Sequence, residues 1–156
     1  MGRPRGFTIV ELVVTVAILG LLAAMAAPLT ETVMRRAREQ ELKAALVEIR
    51  NAIDAYKDAA DGGRVAKAAG ESGYPASLDV LVNGVVDRQS AGGAKLYFLR
   101  RIPRDPFAPA GVPAGETWGL RSFDSPPDAP RAGKDVFDVR SLSEGRGLDG
   151  TPYREW

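Results

Sequence analysis

The sequence predicts an α+β fold: a long N-terminal helix, membrane-spanning in its first half and amphipathic in its second, packed on a small antiparallel β-sheet with irregular Pro-rich loops. Three observations carry this. Residues 7–29 form an apolar run with a single charge, residues 31–60 place apolar side chains at helical spacing, and from Pro103 the chain is rich in proline and broken by two short strand-like segments. A helix with one apolar face, followed by short strands, buries that face under a small sheet, so the expected shape is a lollipop with its stick in the membrane.

The apolar run reads FTIVELVVTVAILGLLAAMAAPL, with 18 apolar residues of 23 and one charge, Glu11. From Leu12 to Thr30 there are 19 uncharged residues. At ~1.5 Å per residue such a stretch is about 28 Å long, against ~30 Å for the hydrocarbon core of a bilayer. A buried core helix would show one apolar stripe instead of apolarity all round. A cleaved secretory signal needs an apolar region of only ~7–15 residues followed by a small-residue cleavage site. Here the run is longer and passes directly into a charged helical pattern. Arg3 and Arg5, in the leading MGRPRG, favour a cytoplasmic N-terminus, although Arg35, Arg36 and Arg38 beyond the run reduce the asymmetry. An ordinary single-pass anchor leaves Glu11 unexplained. A carboxylate near the centre of a bilayer costs ~2.5–3.5 kcal/mol on insertion scales. At the interface it would be tolerated, but a charge set just inside a long apolar run calls for a partner.

From Glu31 to about Ala60, Leu42, Ala45, Leu46, Ile49, Ile53 and Tyr56 recur at spacings of three and four, one face of an amphipathic helix. Glu39, Lys43, Arg50 and Asp54 are expected on the wet face, with Glu39/Lys43 and Arg50/Asp54 four apart, where opposite charges support a helix. Asp61-Gly62-Gly63 should end it. Together the two halves would make a helix of ~50 residues and roughly 75–80 Å if continuous. Pro28 removes a backbone donor and crowds the preceding turn, so a bend or break is expected there.

Residues 62–73 read as a small-residue loop without a phosphate-binding pattern. A short second helix is expected at Leu78–Val82, with Ser77 as N-cap and Asn83-Gly84 as its stop. Lys95–Ile102 fits either a strand or a helical turn. Seven of the eleven prolines lie between Pro103 and Pro130, so this region should be irregular except for a strand at Trp118–Phe123. A second strand is expected at Val136–Leu142, with Val136 and Asp138 on one face and Phe137 and Val139 on the other. The two should pair antiparallel. The last residues, Gly145–Trp156, are turn-rich but aromatic, and should be tied down by Tyr153 and Trp156.

Composition narrows function. A chain of 156 residues fits one ordinary domain with an appendage, and its lack of cysteine and histidine removes disulfides, thiolate nucleophiles, common zinc sites and imidazole catalysis. The net charge of +1 gives no general attraction to nucleic acid. The basic cluster Arg100, Arg101 and Arg104 lacks interleaved aromatic platforms. Asp124, Asp128 and Asp135 sit in or beside Pro-rich segments with no catalytic spacing, so no enzyme activity and no catalytic residue is expected.

Gly6-Phe7-Thr8-Ile9-Val10-Glu11-Leu12 resembles the processing motif of prepilins, shared by type IV pilins and type II secretion pseudopilins. Arg100–Phe107 (RRIPRDPF), Asp138–Ser141 (DVRS) and Leu148–Trp156 (LDGTPYREW) resemble segments of the soluble domain of major (G-type) pseudopilins of type II secretion systems. The resemblance covers both ends of the chain, and the absence of cysteine favours it over a type IV pilin with its usual disulfide loop. It implies a leader at 1–6, an assembly helix at 7–30 and a periplasmic globular domain at 31–156. A prepilin peptidase would cut between Gly6 and Phe7 and N-methylate Phe7. The mature chain would carry 19 basic against 20 acidic side chains, a balance of −1. Glu11, Thr8 and Pro28 would be assembly residues, with Glu11 meeting the terminal amine of a neighbouring subunit's Phe7.

The role implied is a structural subunit of a homo-oligomeric helical filament that drives protein export. The subunit would wait in the bacterial inner membrane among lipids, and its partners would be minor pseudopilins and an inner-membrane assembly platform. Its relatives commonly hold one calcium ion in the C-terminal loop, for which Asp138, Glu144 and Asp149 are the candidate ligands. The stretch Thr151–Glu155 departs from the acidic cluster usual in such sites. The remaining alternatives are a pilin of a surface type IV pilus, serving adhesion or DNA uptake, and a membrane-anchored periplasmic binding or enzymatic module.

Overall fold

The computed structural model describes residues 6–156, without the side chains of residues 24–30. Its elements, in order, are helix α1 (Ile9–Asp61), helix α2 (Leu78–Asn83), strands β1 (Val85–Val86) and β2 (Lys95–Leu96), a 3-10 turn (Ala114–Thr117), strands β3 (Trp118–Arg121) and β4 (Asp138–Ser141), and a second 3-10 turn (Tyr153–Glu155). The class is α+β, as expected. The chain divides within α1 into two compact units, Met1–Ala37 and Arg38–Trp156.

In the first unit, α1 starts because Thr8 caps it. The Glu11 amide donates to Thr8 Oγ1 (3.3 Å) and the Leu12 amide to the Thr8 carbonyl (3.1 Å), satisfying donors that a helix start leaves open. Arg3, Arg5 and the side chain of Pro28 lie outside the described residues, but the helix itself is continuous from Ile9 to Asp61, so the break expected at Pro28 does not occur. No helix is long and apolar enough to cross a membrane among the described residues. The apolar run of the sequence continues through residues 24–30, whose side chains are not among them.

In the second unit the core is built on the predicted stripe of α1. Leu42, Leu46, Ile49 and Ile53 are almost fully buried, with Ala45 and Tyr56 beside them. They pack with Leu78 and Leu81 of α2, Leu99, Trp118, Val136, Val139 and Tyr153. The helix ends as its glycines dictate: Gly62 and Arg64 amides donate to the Asp58 and Ala59 carbonyls, and Gly63 takes the left-handed φ of 72° that an L-residue avoids. Lys57 and Asp61 form the exposed ion pair that closes the last turn.

Helix α2 lies where Ser77 and Gly84 place it, but the Ser77 side chain makes no capping bond; only its extended backbone marks the N-cap. Gly84 has φ 72°, and a Cβ there would meet the Tyr97 ring at 2.8 Å. The turn therefore demands glycine, and the chain leads straight into β1. Strands β1 and β2 pair antiparallel, Val85 with Leu96 and Val86 with Lys95. This two-residue ladder is too short to leave an alternating pattern in the sequence, and within Lys95–Ile102 it resolves the first two residues as strand.

Strands β3 and β4 pair antiparallel in the register Trp118↔Ser141, Gly119↔Arg140, Leu120↔Val139 and Arg121↔Asp138. The pairing is as expected, but the strands are shorter. The ladder opens at Asp138, so two-residue alternation does not reach back to Val136. Val136 and Val139 are both buried, and the Val136 amide is spent on the Pro75 carbonyl (2.8 Å) instead of a strand partner.

Candidate functional site

The first unit presents one surface. Gly6 and Phe7 are exposed, as is every described side chain from Ile9 to Ala23. Ile9 is 82% exposed and Leu19 64%, so the apolarity is displayed all round the helix. A helix of this kind finds its stable surroundings in lipid or among other apolar helices. Thr15 turns its hydroxyl back to the Glu11 and Leu12 carbonyls (both 2.8 Å), which removes a free polar group from the helix surface. The Glu11 carboxylate is exposed and has no hydrogen-bond or ion-pair partner among the described residues. Thr8, Glu11 and the Gly6-Phe7 bond thus stand together at the tip of one apolar helix.

In the second unit the segments Arg100–Phe107, Asp138–Ser141 and Leu148–Trp156 converge. Asp105 is buried, and its carboxylate accepts the Ser141 hydroxyl (2.6 Å) and the Phe107 amide (2.8 Å). The indole of Trp118 donates to the Pro103 carbonyl (2.8 Å), fixing the same loop to β3. Phe107 stacks on Tyr153 with ring centroids 4.3 Å apart, and Tyr153 meets Trp156 edge-on at 5.0 Å. The tail is tied down by Tyr153 and Trp156 as their types require.

Three α1 residues expected on the wet face turn out to hold this tail. Glu39 is buried, and its Oε1 accepts the Tyr153 hydroxyl (3.0 Å) and the Leu148 amide (2.9 Å). Arg50 does not turn to Asp54: its Nε donates to Asp138 Oδ1 (2.8 Å), and its Nη2 to the Val139 carbonyl (3.0 Å) and the Trp156 main-chain oxygen (2.8 Å). Lys43 lies over the Trp156 ring, 4.3 Å from its centroid. The signal for Glu39 is present in the sequence, because Glu39, Leu42, Leu46, Ile49 and Ile53 continue one spacing of three and four. A buried carboxylate on an apolar stripe must be hydrogen-bonded.

The three candidate calcium ligands do not form a ligand set. Asp138 faces Arg50 and its own following amide, Asp149 Oδ1 accepts the Thr151 amide (2.9 Å) in a tight turn, and Glu144 is exposed. Among the described residues no three acidic side chains gather where a metal ion would fit. This donor arrangement does not suit an ion that takes six to eight oxygens.

Two other carboxylates are structural. Burial pushes Asp135 up, but hydrogen bonds from Ser72, the Phe123 amide and Ser122 outweigh it and hold the carboxyl below its usual range. The Arg64 guanidinium, with the Gln89 amide, likewise lowers Asp87. Asp135 therefore knots residue 72, strand β3's exit and the approach to β4 together, a role its setting among prolines and glycines does not announce.

Comparison with known proteins gives the chain its relatives. Residues 1–27 match the family described as the prokaryotic N-terminal methylation motif, which places the chain in the prepilin class. The chain is 32% identical to the type II secretion system core protein G of Klebsiella pneumoniae, over 69% of this chain and 71% of that one. It is 31% identical to the protein of the same name from Aeromonas hydrophila, over 67% and 68%, and 28% identical to that of Vibrio cholerae, over 69% and 68%. The chain belongs to the type II secretion system core protein G family. No solved structure matches it.

Proposed function

We propose that the chain is a structural subunit of a type II secretion pseudopilus, processed by a prepilin peptidase and polymerised to drive protein export. The observation that carries this is the first unit: an N-terminal methylation motif on a helix whose apolar side chains are all exposed. Cleavage between Gly6 and Phe7 and N-methylation of Phe7 produce a chain that begins one residue before the Thr8 cap of α1. Until assembly, that helix resides in the inner membrane with the second unit on the periplasmic side. On assembly, at a platform in that membrane and in company with minor pseudopilins, apolar helices exchange lipid for one another. Glu11, without a partner among the described residues, pairs with the Phe7 amine of a neighbouring copy, which makes a buried carboxylate tolerable. The role is assembly, with no catalytic step.

The test is Glu11→Ala in the full chain. Membrane insertion and melting of the second unit should stay as they are while filament yield falls about tenfold or more, the factor that a lost interaction of ~1.4 kcal/mol produces. Undiminished filaments from this variant would overturn the role given to Glu11.

A further inference from the structure

The family resemblance implies a calcium ion in the loop leading to Trp156, yet several of the oxygens that converge there already accept hydrogen bonds from the protein. Asp138 Oδ1 takes Arg50 Nε (2.8 Å) and the Val139 amide (2.8 Å). The Gly145, Gly147 and Thr151 carbonyls accept the Tyr153 (3.0 Å), Gly150 (2.9 Å) and Gly147 (2.7 Å) amides, and the Gly150 carbonyl accepts Arg146 Nη1 (3.2 Å). Positive charge is present too. Arg50 reaches into the site from α1, and Arg146 lies within the loop.

We propose that this loop is closed without calcium: the Arg50 guanidinium ties β4 to Trp156 in place of a metal ion, and Glu39 anchors the other side of the loop. A guanidinium suits this position. Its fixed fork of donors serves one carboxylate and two main-chain oxygens at once, which a point charge such as lysine's ammonium matches poorly. The three acceptors come from strand β4 and from the end of the loop, so one α1 side chain crosses the gap that a metal ion would bridge with several oxygens. Glu39 complements it from about three turns upstream on α1, accepting from Leu148 and Tyr153. The inference stands apart from the secretion role, since it concerns how the second unit holds its own tail.

The test uses the full chain in detergent micelles. Melting is followed by circular dichroism with calcium chloride and with EGTA, and amide exchange across residues 143–156 is followed by mass spectrometry. The two melting curves should coincide, and calorimetric titration with calcium should show no stoichiometric binding. Arg50→Met should speed exchange of the 145–156 amides about tenfold. Arg50→Lys, which keeps the charge and preserves the fold if methionine does not, should speed it by a smaller factor without creating calcium dependence. A melting temperature raised by calcium, stoichiometric calcium binding, or unchanged exchange in the Arg50 variants would overturn the proposal.

Discussion

Near the start of α1, Ile9, Val13, Val16 and Leu19 stand open on every side, whereas further along the same helix Leu42, Leu46, Ile49 and Ile53 are sealed. The residue types and the backbone are alike; the difference lies in what the rest of the chain supplies. Over residues 38–61 the later segments provide α2, two small ladders and an aromatic tail, so the apolar stripe is satisfied within one chain. Over residues 7–23 every described side chain is exposed. Each large apolar side chain so exposed forgoes about 1.5–3 kcal/mol of burial. The second region satisfies its apolar stripe within the chain, whereas the first displays its own, as the helix proposed for membrane and filament requires.

The contrast is broken most sharply by truncating one isoleucine in each region. Ile49→Ala should cost about 2–5 kcal/mol of folding stability and lower the melting temperature measured by circular dichroism, because it opens a cavity in the core. Ile18→Ala removes the same atoms from an exposed position and should leave that melting temperature unchanged. Equal effects would mean that the two regions do not differ as described. Next in size, Leu19→Lys places a charge in the apolar helix at a cost of ~2.5–3.5 kcal/mol if that helix lies at the centre of a bilayer. Carbonate extraction of membranes should then release more of the chain, while the second unit melts as before.

Smaller effects sharpen the account of the second region. Tyr153→Phe keeps the stack on Phe107 but removes the donor to buried Glu39, and should cost about 1–3 kcal/mol in urea titration. The acid side carries a sign. Asp135 and Asp87 have folded pKa values below the ordinary carboxylate, so their contribution is present above about pH 4 and is lost as pH falls through their depressed values. Melting temperatures should therefore fall on acidification below about pH 4, and Asp135→Asn should flatten that decline.

Periodicity made the α1 stripe, the stop at Gly62-Gly63, the site of α2 and the antiparallel pairing of β3 with β4 legible in the sequence. The ladder of β1 and β2 was not, since two residues cannot establish an alternation. Sequence neighbours misled most where charges were concerned. Glu39 and Arg50 have helix partners four residues away on paper, but each finds stronger company across the fold, in Tyr153 and Leu148 and in Asp138 and Trp156. Asp138 is marked as a metal ligand by resemblance, while the guanidinium that takes its carboxylate comes from a residue 88 positions away. The N-terminal methylation motif was the most readable part, because its information is a contiguous string and needs no tertiary contact.

The most direct test of the divided molecule is the intact mass and N-terminal sequence of the chain taken from membranes of cells with and without an active prepilin peptidase. With the peptidase the chain should begin at N-methylated Phe7, and without it at Met1. A chain that keeps Met1 under both conditions, or is cut near Ala27, would make the first region an ordinary anchor or a discarded signal and would contradict its reading as an assembly helix.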